Sequence, residues 1–254
     1  MADADAGRMV TSVVREGERD EIAVEEPLEI RVDGEALSVT MRTPGNDEEL
    51  ALGFLYGEGL INEPRAAGPT TDFAANIIDV AGPLLNDPGQ RNFYTTSSCG
   101  VCGKGAIEQV AVDAPHATAG PVVARALLAA LPEQLRQPGF ERTGGMHATG
   151  LFSAGGELIH VREDVGRHNA MDKVIGRALL DGGLPLGGKI LCVSGRISFE
   201  LVQKAAVAGA PILVGVGAPT SLAVELAAER GMTLAAFARG DRVVVYADDG
   251  RVSD

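Results

Sequence analysis

The sequence predicts an α/β protein, with a three-layer α/β/α part in the second half of the chain preceded by a β-rich α+β part. From about residue 141 onward, strand-like apolar runs alternate with amphipathic helical stretches. That alternation builds a largely parallel sheet with helices on its faces. Before residue 140 the apolar runs are shorter, are broken by Pro64, Pro69, Pro83 and Pro88, and include a clear hairpin signal. The stretch around Pro138 and Gly139 marks the change, so the expected division is 1–140 and 141–254.

Each element follows from its local pattern. The acidic first twenty residues read as frayed. LEIRV and ALSVTM then flank Asp33-Gly34-Glu35, and Asp-Gly readily forms the tight turn of a hairpin. Asn46 reads as the cap of a helix, with Glu49 three positions on able to reach back to free backbone donors. Leu50 with Phe54 and Ala51 with Leu55 give that helix its apolar pairs before Gly57 and Gly59 end it. NIIDV reads as a strand, NFYT as a second one, and PVVARALLAALPEQL as a helix with proline in its first turn. LFSAGGELIHVRE reads as a hairpin and is followed by a helix from Asn169 to about Leu180. Strand KILCVS, helix SFELVQKAAVAG, strand PILVGV, helix TSLAVELAAERG and strands TLAAFAR and RVVVYA complete the chain. Strands joined by helices of this length make right-handed parallel crossovers.

Charge and composition exclude several functions. The chain carries 22 Lys or Arg against 35 Asp or Glu, a net charge of −13, of which −9 falls in residues 1–50. Broad binding to nucleic acid or to an acidic membrane surface needs an excess of clustered cations, which this balance lacks. A local anion pocket is compatible with it. MADADAG has no basic start followed by an apolar core, and no run approaches the roughly 18 apolar residues of a membrane span, so the expected location is the cytoplasm. Three cysteines are too few for a disulfide scaffold, and Cys192 inside KILCVSG reads as a small apolar core residue.

Four clusters can carry chemistry. The first is TTSSCGVCGKGAIE, where Cys99 and Cys102 sit three apart on a polar, glycine-rich stretch and Lys104 favours the thiolate that attacks sulfur. Taken alone, this spacing fits redox or sulfur chemistry and half a zinc site equally well. The four histidines form no second close pair with a cysteine, and no His-x-Glu precedes a Pro-Cys-x-x-Cys, so no metal site is expected. The second cluster comprises GGMHATGLF, with Gly145 and His147, and REDVGRHNAMDKVIG, in which Gly166 allows backbone to approach a ligand closely and Arg167 and His168 lie beside a helix that begins near Ala170. Asp164 or Asn169 reads as the cap of that helix, and its free amides suit a phosphate. Glu163, Asp164, Asp172 and Lys173 read equally well as surface ion pairs of little consequence. The third cluster is Ser194-Gly195-Arg196, at the carboxyl end of a buried-looking strand where open α/β sheets bind ligands. Its arginine offers a two-donor grip on phosphate or a guanine edge. The fourth, Phe237-Ala238-Arg239-Gly240-Asp241-Arg242, again sets arginines at a strand end, where a plain hairpin turn is the competing reading.

These clusters, with MRTPGNDEELALGFLYGEGLI (41–61), SGRISFELVQKAA (194–206) and PTSLAVELA (219–227), together resemble the formate dehydrogenase accessory sulfurtransferases, the FdhD or NarQ family of sulfur carriers, over most of the chain. The resemblance implies a cytidine-deaminase-like domain lacking the zinc ligands. It also implies sulfur transfer from a cysteine desulfurase, through a persulfide, to the molybdenum cofactor in its bis-molybdopterin guanine dinucleotide form, for use by formate dehydrogenase. Cys99 and Cys102 match the family's cysteine pair, with Cys99 the expected persulfide carrier and Cys102 its relay or resolving partner. Phe237 to Arg242 align with the family's cofactor-binding stretch, although Asp241 is acidic where a neutral or small residue is more usual. Gly145, His147, Gly166, Arg167, His168, Ser194 and Arg196 are the expected further lining. A homodimer is implied, and a guanine nucleotide is an expected surrogate ligand. The competing function is a chaperone that holds the cofactor and transfers nothing.

Overall fold

The computed structural model describes residues 9–70, 76–86, 114–117 and 120–254. The cysteine pair Cys99 and Cys102, Lys104 and the NFYT strand lie outside these residues. The chain starts with a hairpin, β1 (Val10–Arg15) and β2 (Glu18–Ala23), where the sequence suggested fraying. Glu16 and Gly17, both at positive φ, make its turn, and the Glu21 carboxylate accepts two hydrogen bonds from Arg142, at 2.9 and 2.6 Å. Local charge hid this strand pair, because what holds it is packing against the helix that carries Arg142, 121 residues beyond Glu21.

β3 (Glu26–Val32) and β4 (Glu35–Arg42) pair around the Asp33-Gly34 turn as expected. With β5 (Ala67–Pro69) and β6 (Ile77–Val80) they form a four-stranded sheet in the order β4-β3-β6-β5. α1 (Asp47–Gly57) covers this sheet and buries Leu50 and Leu55 against Leu28, Ile30, Ile78 and Val80. Asn46 precedes it at φ 57 and makes no side-chain cap. Glu49 does not reach back to the helix start, because Arg162 holds both its oxygens, at 2.6 and 2.7 Å. A bidentate, charge-assisted pair outcompetes a backbone cap.

The sequence expectation of a helix opening at Pro121 is also corrected. Val123–Ala124 form β7, pairing in parallel with the terminal strand β14 (Val252–Ser253), and α2 spans only Arg125–Ala130 before a 3-10 turn over Leu131–Gln134. The segment at Pro138 and Gly139 is itself a short helix, α3 (Pro138–Thr143).

The second half holds a six-stranded sheet in the order β13-β12-β11-β10-β8-β9. Its strands are β8 (His147–Ser153), β9 (Leu158–Asp164), β10 (Lys189–Val193), β11 (Ile212–Gly215), β12 (Thr233–Arg239) and β13 (Arg242–Ala247). β10, β11 and β12 run parallel, while β8 and β13 flank them antiparallel. One face buries Leu151, Leu191, Leu213 and Leu234 beneath α4 (Arg167–Leu180), α5 (Phe199–Val207) and α6 (Ser221–Glu229). The other buries Phe152, Cys192 and Val214 beneath the α2 region. Burial pushes the Cys192 thiol well above its ordinary range, so it stays an apolar residue, as the sequence suggested.

α4 also packs against α1, joining the two sheets. A Cβ on Gly53 would overlap the carbonyl of Asp172, and one on Gly176 would overlap that of Glu49, so the two helices touch backbone to backbone. Around this crossing, the residues that the sequence read equally well as surface ion pairs are buried. Lys173 binds Asp164 at 2.7 Å and the Thr43 carbonyl at 2.9 Å, while Asp164, fully buried, also accepts from the backbone amides of Thr43 and Gly166. Glu163 accepts from the amides of Gly139 and Phe140, both at 2.9 Å. Asp172 pairs with Lys204 at 2.8 Å. Among the described residues no helix is long and apolar enough to cross a membrane.

Candidate functional site

The carboxyl ends of β10, β11 and β12 lie side by side, and two glycines let their loops touch. The Gly217 amide donates to the Gly195 carbonyl at 3.0 Å, and a Cβ on Gly217 would come within 2.8 Å of the Arg196 amide nitrogen. Phe237 donates its amide to the Gly217 carbonyl at 3.4 Å. On the opposite flank, a Cβ on Gly195 would come within 3.2 Å of His147 Nδ1. His147, Gly195, Gly217 and Phe237 thus form one continuous edge from β8 to β12.

At the β8 end of this edge α4 begins. Gly166 supplies its N-cap position, no side chain caps it and its first turn holds no acid. The sequence placed the start near Ala170 with Asp164 or Asn169 as cap. The helix starts at Arg167, and Asp164 and Asn169 turn inward, Asn169 donating to Asp164 at 3.0 Å and to the Met41 carbonyl at 2.7 Å. The first-turn amides and the positive end of the helix dipole therefore stay open to an anion. The buried Nε of Arg167 finds no hydrogen-bond partner among the described residues, and an unmet donor of this kind needs a partner when desolvated.

The electrostatics agree. Burial first, then the charges of Arg167, His168 and Arg196, hold the His147 imidazole below its ordinary range against a weaker opposing pull from Asp164. His147 is therefore neutral near pH 7 in a positive setting. His168 Nε2 lies 3.3 Å from Ser198 Oγ and 3.8 Å from Glu200 Oε2, and hydrogen bonding from His168 and Ser198 brings the Glu200 carboxyl down to about 2 despite its burial.

The chain bends where β12 ends. Phe237 takes φ 53 at a bulge and leaves its ring 46% exposed, 6.4 Å from that of Tyr246. Positive φ is rare for a bulky side chain. Beside it, Val216, Phe237, Arg239, Asp241 and Arg242 line an open cleft of about 600 Å³. Ala238 is buried beneath, and Gly240, at φ 62, turns the hairpin.

The structure thus brings His147, Gly166, Arg167, His168, Arg196 and the Phe237–Arg242 stretch to one end of the sheet. Ser194 is there too, but its hydroxyl accepts the Ala148 amide at 2.9 Å and ties the loop to β8. Gly145 lies apart, packed toward Ala23 of β2. Sequence reasoning missed Gly217, Val216 and Glu200. The strand-end logic that selected Ser194–Arg196 also covers Val216-Gly217 at the end of the next parallel strand, whereas nothing local marks Glu200.

Fold and site define a class: a mixed α/β protein with an arginine-rich face and an aromatic-lined cleft at the carboxyl edge of a largely parallel sheet. The FdhD/NarQ family matches residues 23–253, and the chain belongs to it. It is 52% identical over 252 residues to the sulfur carrier protein FdhD of Streptomyces coelicolor, covering 92% of this chain and 89% of that protein. It is 49% identical over 255 residues to the protein of the same name from Mycobacterium tuberculosis, covering 91% of each. Among solved structures, a Desulfotalea psychrophila protein described as a formate dehydrogenase accessory protein superposes with a TM-score of 0.75 at 27% identity, covering 96% of this chain and 98% of that one.

Proposed function

We propose that the chain is a sulfur carrier in formate dehydrogenase maturation, moving sulfur from a cysteine desulfurase to the bis-molybdopterin guanine dinucleotide form of the molybdenum cofactor. The observation that carries this reading is the convergence of the unpartnered Arg167 Nε, the uncapped start of α4 and the Arg239–Arg242 cleft on one sheet edge. A cargo with two pyrophosphates and two guanines needs such an anion site beside an aromatic surface. The reading includes a cytoplasmic homodimer. It also includes a deaminase-like sheet, supported by the run β9-β8-β10-β11-β12 with β8 antiparallel to its neighbours.

The cysteines supply the covalent step. The Cys99 thiolate attacks the outer sulfur of the desulfurase persulfide, a new S–S bond forms on Cys99, and the desulfurase cysteine leaves as a thiolate. Once the cofactor is seated and its binding brings the two cysteines together, the Cys102 thiolate attacks the inner sulfur of Cys99, closing a Cys99–Cys102 disulfide and releasing hydrosulfide for the cofactor. Cellular thiols reduce the disulfide afterwards. His147 borders Gly195 on the same edge, and its neutral imidazole among the cations supports a hydrogen-bonding role toward the cargo.

Mass spectrometry of the protein after incubation with a cysteine desulfurase and cysteine tests this. One added sulfur on the peptide carrying Cys99 and Cys102, removed by reductant and absent in Cys99→Ala, is the expected result. No added sulfur with an active desulfurase overturns the carrier reading in favour of a chaperone that only holds the cofactor.

A further inference from the structure

Two helices start at matched places on neighbouring strands and use their first residues differently. Ile197 and Pro219 pair in a parallel bridge, so Ser198 before α5 and Thr220 before α6 occupy equivalent positions. Thr220 caps its helix, its Oγ1 accepting the Ala223 amide at 3.4 Å. Serine is among the residues that cap best, yet Ser198 makes no cap. Its hydroxyl bonds to the Glu200 carboxylate instead, and its oxygen lies 3.3 Å from His168 Nε2. Glu200, held at about 2, carries no proton at neutral pH, so Ser198 donates to the carboxylate and accepts from the ring. Nε2 is therefore the donor nitrogen of His168, with Glu200 Oε2 behind the bond at 3.8 Å. The other ring nitrogen, Nδ1, has no partner among the described residues. One turn further along both helices, Asp172 and Lys204, both buried, pair at 2.8 Å and keep α4 and α5 face to face.

We propose that Ser198 and Glu200 are positioning residues of the anion site, holding His168 by Nε2 so that Nδ1 is the atom the ring offers to a bound phosphate. This rests on the reading of the start of α4 as the place of the cargo's pyrophosphate. A ring tethered at one nitrogen presents the other in a fixed direction, and the cost of ordering it is met before the ligand arrives. Nδ1 then donates to a phosphate oxygen when the ring carries two protons, and takes the proton of a protonated phosphate when the ring carries one. A carboxylate this close to an anion otherwise only repels it. The two roles therefore differ in sign: acting through His168, Glu200 strengthens anion binding, and acting as a bare charge it weakens it.

The test is calorimetric binding of inorganic pyrophosphate to the full chain and to a double-mutant cycle of Glu200→Ala and His168→Gln, with Ser198→Ala beside it and thermal melting to show that each variant folds. Glu200→Gln, which keeps the shape of the side chain, takes the place of Glu200→Ala in the cycle if the latter does not fold. Glu200→Ala and Ser198→Ala are each expected to weaken binding about fivefold to tenfold. In the His168→Gln background, Glu200→Ala is expected to cost nothing further, and affinity holds or rises as the repulsion is removed. Unchanged or tighter binding by Glu200→Ala alone makes Glu200 a neighbouring charge only, and the proposal fails while the anion site stands. An equal loss in both backgrounds also overturns it, because Glu200 then shapes the start of α5 without acting through His168. A wild type that binds no pyrophosphate overturns the site reading itself, and the proposal with it.

Discussion

Two sets of charged side chains, supplied in part by the same stretch of sequence, are treated in opposite ways. In and beside the seam between α1 and α4, Arg42 grips Asp47 with two bonds at 2.9 Å, Arg162 grips Glu49, and Lys173 grips Asp164; Arg42, Glu49, Lys173 and Asp164 are buried, and Asp47 and Arg162 are half-buried. At the sheet edge, Arg196, Arg239 and Arg242 are exposed and Arg167 Nε is unmet. REDVGRHNAMDKVIG feeds both: Arg162, Asp164, Asn169 and Lys173 face the seam, while Gly166, Arg167 and His168 face the edge. A charge that meets its partner inside the fold contributes to the fold. A charge left unmet at a strand end is available to a ligand.

Substitutions should separate the two sets. The largest effect is expected from Gly53→Ala or Gly176→Ala, because the added methyl meets backbone that cannot move aside. Soluble yield and circular dichroism should show loss of the native fold, and a native-like melt would mean that the helices can part. Next comes Lys173→Met, which strands the buried Asp164 carboxylate and should cost about 3–5 kcal/mol in urea titration. An effect below about 1 kcal/mol would place Asp164 in contact with solvent. Arg196→Ala should leave stability within about 0.5 kcal/mol and weaken GDP binding about tenfold, near 1.4 kcal/mol. Loss of stability in place of affinity would move Arg196 into the structural set.

The smallest effect concerns pH. The Glu200 carboxyl is held at about 2, below its usual 4.5, so its contribution is present above pH 4.5 and fades as pH falls toward 2. Wild type should therefore melt above Glu200→Gln at pH 7, and the gap should narrow below pH 4.5 and close near pH 2. A constant gap would show that Glu200 acts by packing alone.

Much of the fold was legible because its signals are local. The Asp33-Gly34 turn, the alternation after residue 141 and the strand-end position of Ser194–Arg196 each need only a few consecutive residues. The failures involve partners distant in sequence. Glu49 looks like a cap until Arg162, 113 residues away, takes both its oxygens. Glu163 and Asp164 look like surface charges until the Gly139 amide and the Thr43 amide are folded onto them. The candidate site was legible at its motifs, but Gly217 and Glu200 join it only through contacts made in three dimensions.

The crossing of α1 and α4 also restricts how this chain can change. Every missense change of a glycine codon adds atoms, so no substitution at position 53 or 176 is neutral in volume, and a change on one helix cannot be relieved by shrinking the glycine opposite. The spacing between the amino-terminal sheet and the arginine-bearing edge of the second sheet is therefore a length that mutation cannot tune in small steps. Substitutions that leave this spacing intact fall elsewhere, in the loops and the hairpin tip.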